Sequence, residues 1–133
     1  MSGEFQNSPE ARKEELKQLV EEITRLQARI LGLRKDGNVG AEEETQLQVN
    51  ALKAKRFEML DDSERQEVFV ENVTKNTASY QECSEMGMPI DLGMIMFDAF
   101  GEPTVEIGDP LKAKMLEHLD SFEWWRERED YGE

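Results

Sequence analysis

The chain has 133 residues, of which 38% are hydrophobic and 35% are charged, and its formal net charge at pH 7 is -14. This length is typical of one domain, and the high charged fraction favours elongated helices with solvated faces over a thick globular core. The acidic balance disfavours direct binding to nucleic acid or to a membrane surface, both of which are anionic, and favours a basic protein partner.

The acidic charge is concentrated in the second half of the chain. Residues 1–39 carry seven basic and seven acidic side chains, residues 40–87 carry five and eleven, and residues 88–133 carry four and twelve. The three segments therefore contribute 0, -6 and -8 to the total of -14. A single cysteine, no apparent export signal over residues 1–7 and no apolar run of membrane-spanning length lead us to expect a cytoplasmic protein.

The first predicted helix begins at Pro9 after a capping Ser8 and ends at Lys35, where Arg34 and the following Gly37 are typical of a helix end. Its large apolar side chains recur at alternating spacings of three and four, at Leu16, Leu19, Ile23, Leu26, Ile30 and Leu33. That spacing predicts a coiled-coil-like contact. The ridge could be covered by the next segment, folded back across the glycine-bearing bend, or by a second copy of the chain in a homo-oligomer.

The second predicted helix begins near Gly40 or Ala41 and runs to about Leu60. Three glutamates lie in its first turn, where the helix dipole favours negative charge: Glu42, Glu43 and Glu44. Its apolar residues fall on two adjoining lines, Leu47, Ala51, Ala54 and Phe57 on one and Val49, Leu52, Met59 and Leu60 on the other. The short connection predicts an antiparallel return along the first helix.

The third predicted helix begins at Asp61–Ser63, where Asp61 and Glu64 have capping-box spacing, and ends near Gly87. Its apolar face is formed by Phe69, Val73, Thr77 and Tyr80. After it, residues 90–100 and 104–107 predict a small β-hairpin turning at residues 101–103, although a short buried helix over residues 89–100 fits the apolar run too. A last helix starts at Asp109–Pro110, with a stripe of Leu111, Met115, Leu119, Phe122 and Trp125.

The predicted fold is therefore mainly α. An antiparallel helical hairpin with a third helix occupies residues 8–87, and a small C-terminal cap, a β-hairpin or a helix, occupies residues 88–126. Residues 1–7 are predicted to be a disordered N-terminus and residues 127–133 an acidic tail.

The inventory of reactive groups predicts no catalytic, cofactor-binding or metal site. His118 is the only histidine, and Cys83 lies near Glu82 and Glu85, whose negative charge opposes formation of a thiolate. A second cysteine for a zinc site, a glycine-rich phosphate loop and a calcium-binding loop are all absent from the sequence. We therefore predict that the protein is not an enzyme.

Partner-binding residues are predicted at three places. Trp124 and Trp125 are adjacent, and neighbours on a helix point about 100° apart, so one of them is expected to be exposed as an interface anchor. Met94 and Met96 belong to a methionine-rich segment that forms either an adaptable binding patch or part of the core. The glutamates at positions 42–44 form an acidic hairpin tip.

These features predict a non-catalytic protein-protein interaction module, an adaptor or assembly chaperone for a basic or apolar partner. The alternative is an acidic inhibitor of a nucleic-acid-binding protein, acting as a nucleic-acid mimic or by inserting the hairpin into a polymerase channel. The long hairpin with an acidic tip resembles in outline the secondary-channel factors of bacterial RNA polymerase, and hairpin chaperones of the prefoldin type. The tip motif of the polymerase factors is not matched residue for residue, so no functional residue is carried over.

Overall fold

The computed structural model describes residues 9–88, 90–102 and 107–126, which are mainly helical and contain no strand. The chain divides into two compact units, Met1–Met59 and Leu60–Glu133. The third helix therefore groups with the C-terminal elements, whereas the sequence analysis placed it with the hairpin. Among the helices of the described ranges, none combines the length and the apolar character needed to cross a bilayer.

The first unit is an antiparallel pair of helices, α1 (Pro9–Lys35) and α2 (Val39–Met59). Four residues of the heptad ridge are buried in it: Leu19, Ile23, Leu26 and Ile30. The last three form a cluster with Val49 of α2, and Leu52 packs against this cluster. Because α2 covers the ridge within one chain, a homo-oligomer joined through the same ridge would need the hairpin to open; the oligomeric state stays a prediction.

A glycine turn reverses the chain between α1 and α2. Gly37 has a φ of 74°, a left-handed conformation that residues with a side chain rarely adopt. Its amide donates to the Arg34 carbonyl (3.1 Å) and the Asn38 amide to the Leu33 carbonyl (3.0 Å), so the last carbonyls of α1 are satisfied. The Asn38 side chain then accepts from the Ala41 amide (3.2 Å), which caps the start of α2.

The buried face of α2 includes Val49 and Phe57 of the two predicted lines but not Leu47. Leu47 was placed on an apolar line, but its side chain is 68% exposed, while Thr45 is buried. Thr45, Val49 and Leu52 are spaced by four and then three residues, so they lie on one side of α2, and Val49 and Leu52 pack against α1. The Thr45 hydroxyl donates to the Ala41 carbonyl (2.7 Å), and this bond allows a polar side chain to be buried there.

Interactions at both ends of the hairpin join the two helices. At the open end the Arg12 guanidinium donates to the Met59 carbonyl from Nε (3.1 Å) and Nη2 (2.8 Å). Near the turn the Arg34 Nε donates to the Glu42 carboxylate at 2.9 Å. These contacts fix the alignment of the two helices in addition to the apolar cluster.

In the second unit, α3 (Asp62–Glu85) packs against both α4 (Leu92–Phe100) and α5 (Asp109–Leu119). The predicted capping box is confirmed, with the Glu64 amide donating to Asp61 Oδ1 (2.8 Å) and the Asp61 amide donating to Glu64 Oε1 (2.9 Å). The predicted apolar face of α3 is buried at Phe69, Val73 and Tyr80.

The predicted β-hairpin is wrong in the part that the structure describes, because residues 92–100 form α4. Asp91 caps the helix by accepting from the Met94 amide (2.8 Å), and Gly101, with a φ of 80°, ends it. These helix signals decide between the two interpretations that the apolar run left open. The predicted turn at residue 103 and the alternation at residues 104–106 lie outside the described residues, as do Ser8, the N-terminus at 1–7 and the tail at 127–133.

The last helix is shorter than predicted. α5 ends at Leu119, the chain turns at residues 120–122, and a separate helical turn covers residues 123–126. Leu111, Met115 and Leu119 are buried as the stripe predicts. Residues 120–126 therefore do not continue α5, with consequences for the two tryptophans.

Candidate protein interface

Both tryptophans lie in the core, so the prediction that one of them is exposed is wrong. The exposed fraction is 4% for Trp124 and 3% for Trp125. Trp124 packs on Tyr80 of α3, with ring centroids 5.2 Å apart, and its indole nitrogen donates to Thr77 Oγ1 at 2.9 Å. Trp125 meets Trp124 edge to face at 6.5 Å. The two neighbouring side chains still point about 100° apart, but in the segment that follows the turn after Leu119 both directions face the core.

Tyr80 links α3 to α4 through a partly buried hydrogen-bond network. Its hydroxyl donates to Asp98 Oδ2 at 2.6 Å and accepts from Asn72 Nδ2 at 3.1 Å. Asn76 Nδ2 in turn donates to Asn72 Oδ1 at 2.9 Å. Burial, and after it the hydrogen bond to the Asp98 carboxylate, raises the pKa of the Tyr80 phenol above its ordinary value. The phenol therefore stays protonated and serves as a structural donor.

The methionine-rich segment is divided between core and surface. Met96 is buried, together with Ile95 and Phe100, and Met94 is half-buried. Met86 and Met88, on the connection between α3 and α4, are 69% and 51% exposed. The core interpretation therefore holds for Met96, and the candidate apolar contact residues move to positions 86 and 88.

The sequence contained a signal for this division. Gly87 marks the end of α3, so the periodic buried face of this helix does not extend to Met88. Met94 and Met96, by contrast, follow Asp91, whose cap starts a new buried helix. The helix signals therefore divide the methionine-rich segment, although its composition is uniform.

The acidic hairpin tip contains two fully exposed carboxylates and one that is engaged. Glu43 and Glu44 are exposed, while Glu42 is half-buried and paired with Arg34. That these three glutamates contact a partner stays a prediction. Beside them lies the exposed Leu47.

A row of four glutamates, which we name the acidic stripe, runs along the solvent side of α3: Glu67, Glu71, Glu82 and Glu85. At 3.6 residues per turn the four lie within about 60° of each other around the helix axis and roughly opposite the buried face. All four are exposed. None of them forms an ion pair or side-chain hydrogen bond with another described residue. The fold of α3 does not need these charges.

Charge is distributed very unequally between the two units. Residues 1–59 contain ten Lys and Arg against eleven Asp and Glu, giving -1, whereas residues 60–133 contain six against nineteen, giving -13, and together they make the total of -14. Between Arg65 and Lys112 the only basic residue is Lys75, against nine acidic residues. The acidic character of this protein therefore belongs to the second unit.

The candidate reactive groups are not assembled into a site. Within the described ranges no group of three or more His, Cys, Asp or Glu side chains could hold a metal ion. His118 contacts Phe122 edge to face at 5.3 Å, and Cys83 is half-buried near the end of α3. That the protein is not an enzyme stays a prediction.

Comparisons of the chain with protein-family models, with curated proteins and with solved structures find no match.

Proposed function

We propose that this protein is a non-catalytic interaction module, an adaptor or assembly chaperone, whose second unit binds a basic protein partner. The proposal rests mainly on the acidic stripe: four exposed carboxylates on one side of α3, without partners in the described chain, in a unit of net charge -13. Like charges at this density repel one another and oppose compaction. Charges that the fold does not use are consistent with recognition of an oppositely charged surface.

Electrostatics of this kind act mainly on partner choice and association rate. An acidic surface attracts a basic partner from a distance and excludes anionic competitors such as nucleic acid and lipid headgroups. The nearly neutral hairpin unit adds little to that field. Within this proposal the hairpin serves as a rigid helical element, and the second unit carries the specificity.

The test is capture of partners by the full chain from a native lysate, followed by mass spectrometry. The matched control is Glu67→Gln/Glu71→Gln/Glu82→Gln/Glu85→Gln, which removes four charges and keeps the side-chain shapes on an exposed helix face. We expect the unmodified chain to retrieve a protein of positive net charge in stoichiometric amount. The Gln variant should fail to retrieve this protein, and a buffer of about 1 M salt should release it from the unmodified chain. Retrieval of no stoichiometric protein, by a chain that also forms no oligomer, would contradict the proposal.

The acidic stripe also supports the second candidate function, an inhibitor that occupies a basic nucleic-acid-binding surface. From Glu67 to Glu85 the stripe is about 27 Å long. A DNA duplex of that length carries roughly 16 phosphate charges, against four carboxylates here, so mimicry of a duplex would be sparse. This difference in charge density is why we rank the adaptor first.

Competition experiments separate the two candidates. An inhibitor of this kind would displace DNA or RNA from a captured partner, with an effect that weakens steeply as salt rises. An adaptor would bind without displacing nucleic acid. Lack of competition at low salt would remove the inhibitor and leave the adaptor.

A further inference from the structure

The two methionines that leave the core, Met86 and Met88, form an exposed apolar feature held in a defined conformation, which we name the methionine pair. The Met86 amide donates to the Glu82 carbonyl (3.0 Å), the Gly87 amide to the Ser84 carbonyl (3.1 Å) and the Met88 amide to the Cys83 carbonyl (2.9 Å). Gly87 adopts a left-handed φ of 75° between them. The backbone is therefore fixed while both side chains project into solvent.

Local structure accounts only in part for methionine at these positions. The hydrogen bonds that end α3 are all made by backbone atoms, and this motif favours an apolar residue at position 88, after the left-handed glycine, but it requires none at position 86. Exposed fractions of 69% and 51% mean that neither side chain contributes much to the core of the unit. Methionine is flexible and polarizable, and surfaces that bind apolar segments of partners use it often.

The charges around the methionine pair define what could cover it. Glu82 and Glu85, the last two residues of the acidic stripe, precede it by one turn or less, and the exposed Asp91 follows it. The sequence from residue 76 to residue 111 contains seven acidic and no basic residues. An occupant must therefore offer apolar side chains beside positive charges, and an anionic lipid surface would be repelled.

We propose that the methionine pair is the docking point for an amphipathic, Lys/Arg-rich helical segment of a partner protein. Apolar side chains of that segment would contact Met86 and Met88, while its cations would face Glu82 and Glu85. This is the mode in which a short amphipathic helix is recognised through a few apolar anchors with charged residues at the rim. The inference rests on the proposed function and names the surface and the chemistry of the partner.

The experiment uses the full chain and a synthetic helical peptide of about 18 residues, or five turns, with leucine on one face and lysine on the other. One control peptide replaces each lysine with glutamate, and another replaces each leucine with serine. Binding is measured by calorimetry at low and high salt. In parallel, methionine-methyl NMR reports which of the seven methionines meets the peptide.

We expect Met86→Ser/Met88→Ser to weaken binding of the leucine-lysine peptide by about tenfold or more, since apolar contacts would be lost from the centre of the interface. Leu47→Ser is the matched control, because Leu47 belongs to the hairpin unit, is 68% exposed and lies on the same helix as the exposed Glu43 and Glu44. The affinity of the Leu47→Ser variant for the leucine-lysine peptide is expected to change by less than about twofold. The Met86 and Met88 methyl signals should shift on binding, and those of the buried Met96 and Met115 should not.

Two results would overturn the inference. The first is a peptide affinity unchanged by Met86→Ser/Met88→Ser, or lost equally in Leu47→Ser. The second is no binding of the leucine-lysine peptide to the unmodified chain. A basic partner captured from the lysate by the unmodified chain but not by the Gln variant would then still support the proposed function, so the two failures are distinguishable. Circular dichroism of the serine variants checks that each remains folded.

Discussion

The two units of this protein are both helical, yet they are stabilised by different kinds of core and carry different charge. In the hairpin the buried contact is a line of aliphatic side chains between two long helices, and ten basic residues nearly balance eleven acidic ones. In the second unit the core is rich in aromatic rings tied by hydrogen bonds, and the net charge is -13. The hairpin forms long helices with nearly balanced charge. Helical structure alone therefore does not require the strong negative charge of the second unit.

The largest effect is expected from removing the indole at position 124. Trp124→Ala should lower the free energy of unfolding by about 3–5 kcal/mol, because a large buried side chain is lost and Thr77 loses its hydrogen-bond donor. Chemical denaturation measures the loss, and near-UV circular dichroism reports the aromatic packing. Trp124→Phe keeps a ring in the site and should cost clearly less. Equal costs for the two variants would show that the indole hydrogen bond, rather than packing, holds the turn at residues 123–126.

Two leucines of the hairpin give the next largest and most direct contrast. Leu26 is 4% exposed within the ridge, and Leu47 is 68% exposed on α2. Leu26→Ala should cost about 2–5 kcal/mol through the transfer and cavity terms, whereas Leu47→Ala should change stability by less than about 0.5 kcal/mol. Thermal unfolding of both variants under the same conditions measures the difference. Similar costs would mean that Leu47 is covered in solution, for example by a second copy of the chain.

Tyr80 should make the stability of the second unit depend on alkaline pH. The pKa of the phenol is raised in the folded chain and returns to its ordinary value of about 10 on unfolding. The contribution of Tyr80 to the free energy of unfolding is therefore complete below pH 10 and decreases as the pH rises above it. Tyr80→Phe should cost about 1.5–3 kcal/mol at neutral pH, since it removes a hydrogen bond to a carboxylate.

The difference between the two proteins should shrink above pH 10. Denaturant unfolding of the unmodified chain and of Tyr80→Phe across the alkaline range, with tyrosinate absorbance as a second readout, tests this dependence. Parallel pH profiles for the two chains would contradict it. Asn72→Ala, which removes a second partner of the phenol, provides an independent variant of the same network.

The accuracy of the sequence predictions differed between the two units for a physical reason. The hairpin is specified by local periodicity: the ridge from Leu19 to Ile30 and the bend at Gly37 are visible in the sequence, and both are present. Thr45 was missed because only apolar residues were counted, although its spacing to Val49 and Leu52 repeats the spacing of the ridge.

The second unit depends on contacts that span many residues, which periodicity does not reveal. The hydrogen bond from Trp124 to Thr77 joins residues 47 apart, and the bond from Tyr80 to Asp98 joins residues 18 apart. The turn after Leu119 has no glycine or proline to mark it, so the helix was extended through it and an exposed tryptophan was predicted.

The smallest effect concerns the turn that specifies the hairpin. Gly37→Ala should cost about 1–2 kcal/mol, because a φ of 74° brings an added Cβ close to the neighbouring carbonyl. Gly40→Ala is the matched control: it lies at the start of α2, an added Cβ meets nothing within 4 Å, and its φ is not positive. That substitution should be neutral or stabilising by up to about 1 kcal/mol, since alanine restricts the unfolded chain and favours helix. Unfolding midpoints of the two variants measure the contrast. If both substitutions were neutral, the turn between α1 and α2 would not need a left-handed residue. The apolar ridge of α1, and not the glycine turn, would then determine the hairpin.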